Sequence, residues 1–437
     1  MHPNERIESI LRGIKGYMPL FFFRALAPIY HYFLALASAL YYRFPSRKIF
    51  VVAVTGTNGK TTVTELVNAF LEEAGFETAL SNTLRFKVGK ESVVNVFKMT
   101  IPGRFFLQRF LREAVNARCR YAVIELTSEG ARQGRHLFTS LDALIFMNLT
   151  PEHIESHGSF SLYRDAKRKL ARSLAHSGKR QKYMVANADD KEGKNFLRIA
   201  GWGGAEKIPF SLADAEPYTF HENGFTVTIG GETMESSLQG VFNISNVLAA
   251  VAFARSQGVS LEAIKRALAR FKGVPGRVEK IELRAATSIT KKQNFSVYVD
   301  YAHTPDALSH LYGAFPHARK ICVLGATGGG RDTWKRPVLG EIAEKYCEEI
   351  IITDEDPYDE DPEEIMNAVA AGVTKKTPTL MRDRRAAIEE GIRRARTGDV
   401  VLITGKGTDP YIMGPRGTKT PWSDAEIARE ALKKILR

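Results

Sequence analysis

The chain has 437 residues, 44% hydrophobic and 25% charged, so it is long enough for two or three globular domains with sizeable cores. Its formal net charge of +13 favours an anionic partner (a nucleotide, a phosphorylated substrate, a nucleic acid or a membrane surface), unless it only reflects a basic proteome. Cys119, Cys322 and Cys347 are far apart with no Cys-x-x-Cys spacing, which argues against a disulfide framework or a cysteine zinc site and favours a reducing cytosol.

Near the N-terminus, residues 17–42 form an apolar, aromatic stretch, YMPLFFFRALAPIYHYFLALASALYY. Arg24, Pro28 and His31 interrupt it, and the pattern predicts two short helices broken near Pro28. Three arrangements stay open: the helices pack on the next domain, lie on a membrane surface, or span the membrane. The flanking cations suit anionic head groups: Arg12, Lys15, Arg43, Arg47 and Lys48.

After Pro45, short apolar runs typical of strands alternate with helical periods, which predicts a parallel sheet covered on both faces. The predicted strands are 48–56, 120–126, 141–149 and 182–190, with helices over 61–76 and 164–177. Residues 205–240 predict a small antiparallel addition, followed by helices over 243–258 and 260–273. A second parallel α/β domain is predicted from strands at 296–302, 320–328, 349–355 and 399–405.

The segment TGTNGKTT stands between a predicted strand and a predicted helix, which is the context of a nucleotide-binding loop. Its glycines let backbone N–H groups face phosphate, and the helix N-terminus adds partial positive charge. Lys60 would reach the β- and γ-phosphates and Thr61 would place its hydroxyl on Mg²⁺. Val54 stands where the usual loop has its first glycine, and a tight glycine-rich turn is the disfavoured alternative. The loop residues predicted to bind ATP are Gly56, Thr57, Asn58, Gly59, Lys60, Thr61 and Thr62.

This form of the loop resembles that of the Mur ligase superfamily, and the tripeptide-synthetase branch most closely. Those enzymes use ATP to join amino acids to cell-wall precursors. In IELTSEGARQGR, Glu125 matches the acid that helps to hold Mg²⁺. In NLTPEHIESHGSFSLYRDAK, His153 matches a ligand of a second Mg²⁺ and Lys167 matches a lysine that the family carbamylates. The resemblance also implies a set of acceptor-binding residues: Thr100, Thr127, Gln133 and Arg135.

Further matches continue in the family's order, so that the resemblance covers roughly residues 48–437. The positions that it implies near ATP are Asn243 in GVFNISNVLAA, Arg277 in GVPGRVEKI, Asp300 and His303 in VDYAHTPDAL, and Arg331 in GGGRDTWKRP. Those that it implies near the amino acid are Asp356, Tyr358, Lys406 and Asp409. The implied domains are a helical aromatic segment (1–46), a central P-loop-type parallel-sheet ATPase domain (47–273) and a C-terminal Rossmann-like α/β domain (274–437).

The sequence departs from the family pattern at several places. Glu129 replaces a histidine, and only about 46 residues precede the central domain, where the branch has a larger UDP-binding domain. Tyr358 replaces an arginine in the acidic segment TDEDPYDEDP, which indicates either a pocket for a cationic side chain such as lysine or a solvated acidic loop. In GKGTDP, Thr408 and Asp409 replace histidine and glutamate.

The function implied by the resemblance is formation of an amide through an acyl phosphate, with catalytic roles for Lys60, Glu125, His153 and Lys167. The implied cofactors are ATP, two Mg²⁺ ions and a carbamylated lysine, and the partners are a cell-wall precursor and a free amino acid. We expect a cytoplasmic monomer, at the inner face of the membrane if residues 17–42 make peripheral contact there.

Other functions stay open. The first is a ligase of the same superfamily with a lipid-linked, cyanophycin-like or folate acceptor. The second is a non-catalytic, membrane-docked nucleotide-binding scaffold. A nucleic-acid motor is disfavoured, because the sequence shows neither an aromatic-interleaved basic patch nor a helicase signature.

Overall fold

The computed structural model describes residues 20–97, 99–283 and 293–436. The chain divides into two compact units. The first unit contains Met1–Leu149, Ser161–Leu212 and Val247–Ala267, and the second contains Thr150–Phe160, Ala213–Asn246 and Leu268–Arg437.

The described helices, in chain order, are α1 (Leu20–Tyr41), α2 (Lys60–Glu73), α3 (Arg104–Asn116), α4 (Ser128–Arg132), α5 (Ile154–His157), α6 (Phe160–Ala175), α7 (Gly193–Gly201), α8 (Val241–Ser256), α9 (Leu261–Arg270), α10 (Pro305–Gly313), α11 (Lys335–Tyr346), α12 (Pro362–Ala370), α13 (Arg384–Arg393) and α14 (Asp424–Leu436). Short 3₁₀ turns cover Pro45–Lys48, Leu212–Ala215 and Pro415–Gly417.

The described strands are β1 (Phe50–Thr55), β2 (Thr78–Ser81), β3 (Arg85–Val88), β4 (Glu91–Val94), β5 (Tyr121–Glu125), β6 (Ala143–Phe146), β7 (Tyr183–Asn187), β8 (Glu206–Phe210), β9 (Tyr218–His221), β10 (Gly224–Ile229), β11 (Glu232–Ser236), β12 (Glu279–Lys280), β13 (Ser296–Asp300), β14 (Lys320–Leu324), β15 (Glu349–Thr353), β16 (Thr379–Met381), β17 (Val400–Thr404), β18 (Tyr411–Met413) and β19 (Lys419–Pro421).

The described strands of the first unit form one sheet in the order β4-β3-β2-β5-β1-β6-β7-β8. The six strands from β2 to β8 in this order run parallel, and β3 and β4 add an antiparallel edge. β1 and β5 are almost wholly buried, as expected for parallel strands covered on both faces. The predicted parallel sheet is therefore confirmed.

One prediction about the edge of this sheet is corrected. Glu206–Phe210 was expected in the antiparallel addition, but it pairs parallel with β7 as an edge strand of the main sheet. The antiparallel addition consists of β9, β10 and β11, and it belongs to the second unit.

α1 also differs from its prediction, because one helix runs from Leu20 to Tyr41 through Pro28. Proline lacks the N–H for one intrahelical bond, but that loss alone did not end the helix here. Ala35 and Ala39 are buried, and the Ser38 hydroxyl donates to the Arg104 carbonyl at 3.1 Å, so one face of α1 packs on α3. None of the described helices is long and apolar enough to cross a membrane. Residues 17–19 of the aromatic stretch lie outside the described residues.

The second unit contains a sheet in the order β12-β13-β17-β14-β15-β16, parallel except for β12. Apolar side chains on its two faces form two cores, one against α10, α11 and α12 and the other against α13 and α14. Cys322 in β14 and Cys347 after α11 form a disulfide, with their Cα atoms 6.0 Å apart, whereas Cys119 is free. The expectation that no cysteines pair was wrong because a parallel sheet joins residues that are distant in sequence.

Candidate active site

The phosphate loop follows β1, whose neighbours in the sheet are β5 on one side and β6 on the other. The loop thus lies at the carboxyl ends of parallel strands, which is where α/β sheets generally bind ligands. Gly59 has φ of 82° and directly precedes α2, a backbone conformation that favours glycine. At Gly56 a Cβ atom would lie 2.9 Å from Cβ of Met147, so a side chain does not fit there.

Asn148 holds the loop in shape. Its Oδ1 accepts the backbone N–H groups of Thr57 (3.0 Å) and Asn58 (2.8 Å). The Thr57 hydroxyl shares a 2.9 Å hydrogen bond with the Tyr163 hydroxyl of α6. Lys60 donates to the Thr57 carbonyl at 2.7 Å, so its ammonium lies across the loop where a phosphate would bind.

Two of the four residues predicted to bind magnesium, Thr61 and Glu125, meet beside this loop. The Thr61 hydroxyl donates to Oε2 of Glu125 at 2.9 Å, and Glu125 is almost fully buried at the end of β5. The Thr83 N–H and hydroxyl also donate to Glu125, and the hydroxyl of Thr83 lies 3.0 Å from that of Thr100. Hydroxyl and carboxylate oxygens are the ligands that Mg²⁺ prefers, so these residues fit the ion. Thr62 is buried in the first turn of α2.

Lys167 reaches the same loop from α6. Its side chain is 1% exposed, and its Nζ donates to the Gly56 carbonyl at 2.6 Å. The ammonium also lies 4.9 Å from the centre of the Tyr163 ring. The lysine that the sequence singled out within a basic helix is therefore an inward-facing residue at the nucleotide loop.

The predicted acceptor residues are in the first unit, and two of them are in direct contact. Arg135 donates from Nε and Nη2 to Oε1 of Gln133, at 3.1 and 2.9 Å, and from Nη1 to the Ile101 carbonyl. The Thr127 hydroxyl instead caps α4 by accepting the Gly130 N–H.

In the second unit, Glu152 joins two histidines. Its Oε1 is 2.9 Å from Nε2 of His303 and 3.7 Å from Nε2 of His153. Burial alone would raise the pKa of the Glu152 carboxyl, but His153, His303 and Lys335 together hold that pKa well below its usual range. Glu152 is thus an anion that orients the imidazoles, although the sequence analysis did not select it.

The other residues predicted near ATP are held by local contacts. Asp300 accepts the N–H groups of Val278 (2.7 Å) and Ala302 (2.6 Å). Burial raises the pKa of the Asp300 carboxyl, and the positive charge of Arg277 offsets part of that rise. The Arg277 guanidinium lies 4.3 Å from the centre of the Tyr301 ring.

Asn243 and Arg331 are positioned in similar ways. Asn243, at the start of α8, donates to the Gln239 carbonyl and accepts from Asn246, each at 2.8 Å. The Arg331 guanidinium lies 4.8 Å from the centre of the Tyr358 ring.

The predicted amino-acid residues cluster at the carboxyl edge of the second sheet. Buried Lys406 donates to Asp356 at 2.8 Å and to Asp409 at 3.4 Å, so its charge offsets those carboxylates. The negative charge of Asp409, together with burial, raises the pKa of Tyr301 well above its ordinary value.

Most of the neighbouring acids serve local structure. Asp361 caps α12, Asp359 accepts the Arg416 N–H, and Glu360 pairs with Arg336. Asp359 and Asp361 are nevertheless exposed and Glu360 is partly exposed, which agrees with the alternative of a solvated acidic loop at these three positions. Glu355 differs from them: it is 3% exposed, and among the described residues its Oε2 has no hydrogen-bond partner.

Among the described residues, no group of three or more His, Cys, Asp or Glu side chains is arranged to hold a metal ion.

The sequence analysis missed several residues that contact the predicted site residues within each unit: Asn148, Tyr163, Thr83 and Glu152. Asn148 and Glu152 lie within the segment already quoted for His153, so their position in that segment was an available signal. Thr83 carried no signal, because only the pairing of β2 with β5 brings it to Glu125.

Comparison with protein families gives two matches. The Mur ligase middle domain matches residues 54–254, and the Mur ligase glutamate ligase domain matches residues 276–407.

Individual proteins agree with these families. A UDP-N-acetylmuramoyl-L-alanyl-D-glutamate–2,6-diaminopimelate ligase of Thermosynechococcus vestitus is 37% identical over 92% of this chain and 80% of its own length. A UDP-N-acetylmuramyl-tripeptide synthetase of a Roseiflexus species is 38% identical over 92% and 82%.

A solved structure of a UDP-N-acetylmuramoyl-L-alanyl-D-glutamate–2,6-diaminopimelate ligase superposes with a TM-score of 0.60 at 27% identity. It covers 89% of this chain and 79% of that protein. The chain therefore belongs to the Mur ligase superfamily of ATP-dependent amide-forming ligases and is similar to its tripeptide synthetases.

Proposed function

We propose that this protein uses ATP to join a free amino acid to the peptide carboxylate of a muramyl-peptide cell-wall precursor. The observation that carries the proposal is the 2.9 Å Thr61–Glu125 contact beside Lys60, in a chain 37% and 38% identical to ligases named for UDP-N-acetylmuramoyl peptides. A loop lysine, a hydroxyl and a carboxylate are the groups that phosphoryl transfer requires.

The chemistry has two steps, because a carboxylate is a poor electrophile. An oxygen of the acceptor carboxylate attacks the γ-phosphorus of ATP, the bond to ADP breaks, and an acyl phosphate forms. The amine nitrogen then attacks the acyl carbon and loses a proton, and inorganic phosphate leaves with the electron pair of the carbon–oxygen bond. The Lys60 ammonium and the N-terminus of α2 stabilise the charge on the phosphates.

Thr61 and Glu125 would hold one Mg²⁺, and His153 and carbamylated Lys167 a second one. When bound, these ions neutralise charge on the phosphates. Carbamylation joins the neutral amine of Lys167 to CO₂ with loss of a proton, which turns a cation into an anion. The 2.6 Å contact of Lys167 with Gly56 supports a role at the phosphates. His153 is in the other unit, so its partnership with Lys167 rests on the family resemblance alone.

We place the domains at 1–46, 47–273 and 274–437. The second unit would contribute the remaining contacts to the nucleotide and to the amino acid. We assign Asn243, Arg277, Asp300, His303 and Arg331 to the nucleotide. The amino acid would lie among a further set of residues: Asp356, Tyr358, Lys406 and Asp409. The carboxylates of this segment, buried Glu355 among them, support a cationic group on that amino acid.

The acceptor would bind at Thr100, Thr127, Gln133 and Arg135, and it carries either UDP or a lipid. A lipid-linked acceptor is the second candidate, and the exposed apolar side chains of α1 support it. They are Ile29, Tyr30, Tyr32, Phe33, Leu40 and Tyr41, and they are followed by the cations Arg43, Arg47 and Lys48. Aromatic and basic residues together suit the surface of an anionic membrane, so we propose peripheral membrane contact. We place the protein in the cytoplasm, as a monomer.

Mass spectrometry of the products tests the function. The purified chain is incubated with ATP, Mg²⁺, a panel of amino acids including lysine and diaminopimelate, and muramyl dipeptide linked either to UDP or to a polyprenyl diphosphate. We expect an adduct with one amino acid, accompanied by ADP, in an acceptor-dependent reaction. No adduct and no ADP with any pair would contradict the proposal and favour a non-catalytic scaffold.

A further inference from the structure

In the second unit, Arg384 at the start of α13 is a buried cation to which the reaction described above assigns no role. Its side chain is 2% exposed, and an arginine is almost never so buried unless it is paired. Its Nε and Nη2 donate to the Asp424 carboxylate of α14 at 2.9 and 2.6 Å. The charge is thus neutralised, and further N–H groups of the guanidinium remain for other acceptors.

These N–H groups bind two strands at their carboxyl ends. Nη1 donates to the carbonyl of Asp354, directly after β15, at 3.2 Å, and Nη2 donates to the carbonyl of Thr404, the last residue of β17, at 2.8 Å. β14 lies between β15 and β17 in the sheet, so one guanidinium bridges the ends of two strands that do not pair with each other. Because the guanidinium is planar and rigid, it fixes the two carbonyls relative to each other.

The bridged strands lead directly into residues that we assign to the amino acid. Asp356 follows Asp354 by two residues, and Lys406 follows Thr404 by two residues. Lys406 donates to Asp356 at 2.8 Å and to Asp409 at 3.4 Å, so the two segments meet through these side chains. A change in the spacing of the bridged carbonyls would therefore move the assigned side chains as well.

Trp422 connects the same ion pair to the end of the second segment. Its indole N–H donates to Oδ1 of Asp424 at 2.7 Å, and its main-chain N–H donates to the Pro410 carbonyl at 3.0 Å. Pro410 directly follows Asp409, one of the residues assigned to the amino acid. Arg384, Asp424 and Trp422 thus form one network, which contacts the main chain both before and after the assigned residues.

We propose that Arg384 is a positioning residue of the amino-acid site: it bridges Asp354 and Thr404 and thereby sets the spacing between Asp356 and Lys406. This inference rests on the proposed function and adds to it a residue that touches no substrate. Lysine cannot replace this arginine, because a single ammonium lacks the planar fork that binds one carboxylate and two carbonyls together. Loss of the bridge should act on the amino acid and not on ATP or the acceptor.

The test variant is Arg384→Lys, which keeps the positive charge. Trp422→Phe is a milder second variant, because it removes only the indole N–H. The matched control is Arg319→Lys. Arg319 bonds Glu349 and Asp399 at the amino ends of β15 and β17, so it bridges the same two strands away from the assigned residues. Circular dichroism and thermal unfolding measure whether each variant is folded, and Trp422→Phe takes the place of Arg384→Lys if the latter does not fold.

Steady-state assays of ADP release by the full chain give the Michaelis constants for lysine or diaminopimelate, for ATP and for the muramyl-dipeptide acceptor. Arg384→Lys should raise the constant for the accepted amino acid by about tenfold, which is the usual effect of losing a hydrogen bond to a charged group. Trp422→Phe should raise it less, and Arg319→Lys should leave all three constants unchanged. A loss of folded protein alone would lower kcat and leave the three Michaelis constants as they are.

Hydrogen exchange followed by mass spectrometry tests the bridge without any reaction. Peptides covering 354–360 and 404–413 should exchange faster in Arg384→Lys than in the wild type, and no faster in Arg319→Lys. The inference is overturned if exchange is the same in Arg384→Lys and the wild type, or if product forms and the amino-acid constant is unchanged or rises no more than the other two. Absence of product from the wild type with every amino acid would instead refute the proposed function, and with it the site that Arg384 serves.

Discussion

At the scale of single residues, Lys60 is the clearest test of the phosphate loop. Its ammonium lies 2.7 Å from the Thr57 carbonyl, where it would meet the phosphates of ATP. Lys60→Ala should abolish ADP release, because no other loop side chain supplies that charge. ADP is measured by a coupled assay, with Lys194→Ala as the control for loss of a surface cation. Normal turnover by Lys60→Ala would show that the loop does not bind the transferred phosphate.

Lys167 tests the carbamate directly. A carbamate gives a distinct carbonyl signal in ¹³C NMR when the protein is equilibrated with labelled bicarbonate. We expect that signal in the wild type and its loss in Lys167→Ala, together with a loss of activity that high bicarbonate does not restore. Full activity of Lys167→Ala would remove the second metal site from the mechanism.

His136 makes stability depend on pH. Burial, with the positive charge of Lys169, lowers the pKa of its imidazole to about 4, whereas an unfolded chain has about 6.5. As the pH falls from 6.5 to 4, the unfolded state takes up a proton that the folded state does not, so stability falls by about 3 kcal/mol.

Replacing His136 by phenylalanine should therefore flatten the decline of unfolding free energy over that pH range. Urea titrations at a series of pH values measure the difference between the two proteins. Parallel pH profiles would show that His136 is not held neutral by its surroundings.

At the scale of elements, one buried ion pair joins two helices of the second unit. Arg384 at the start of α13 donates to Asp424 at the start of α14 through two bonds of 2.9 and 2.6 Å, and both side chains are almost completely buried. Arg384→Leu should destabilise this unit by about 3–5 kcal/mol, because it leaves the Asp424 carboxylate buried without its partner. Thermal and urea unfolding measure the loss.

The double variant Arg384→Leu/Asp424→Leu is the control. It removes both charges, so it should recover a large part of the lost stability. Equal destabilisation by the single and the double variants would mean that packing, rather than the ion pair, joins the helices.

Sequence periodicity identified most elements of the two parallel sheets, because strands buried on both faces are continuous apolar runs. It did not identify β2, β3 and β4, whose side chains are of mixed polarity. It also misassigned β8, because the sequence of a short edge strand does not indicate which strand it pairs with or in which direction. α1 was expected to break at Pro28, but its apolar face packs on α3, and the helix continues.

At the scale of the whole molecule, deleting residues 1–45 separates nucleotide binding from use of the acceptor. The phosphate loop and its contacts to Glu125 lie outside the deleted segment, so ATP affinity should be unchanged. The Michaelis constant for a lipid-linked acceptor should rise, because α1 supplies the exposed aromatic surface. Steady-state kinetics with UDP-linked and lipid-linked acceptors measure this, and an unchanged constant for both would exclude α1 from acceptor binding.

The sequence by itself determined the family, the α/β class and the phosphate loop, because these depend on local signals: glycine spacing, apolar runs and the order of short motifs. Only the tertiary structure decided which side chains meet. The contact of Thr83 with Glu125, the pairing of Glu152 with His303 and the Cys322–Cys347 disulfide all join segments that are distant in sequence. Strand order and helix packing create these contacts, and no local pattern of residues encodes them.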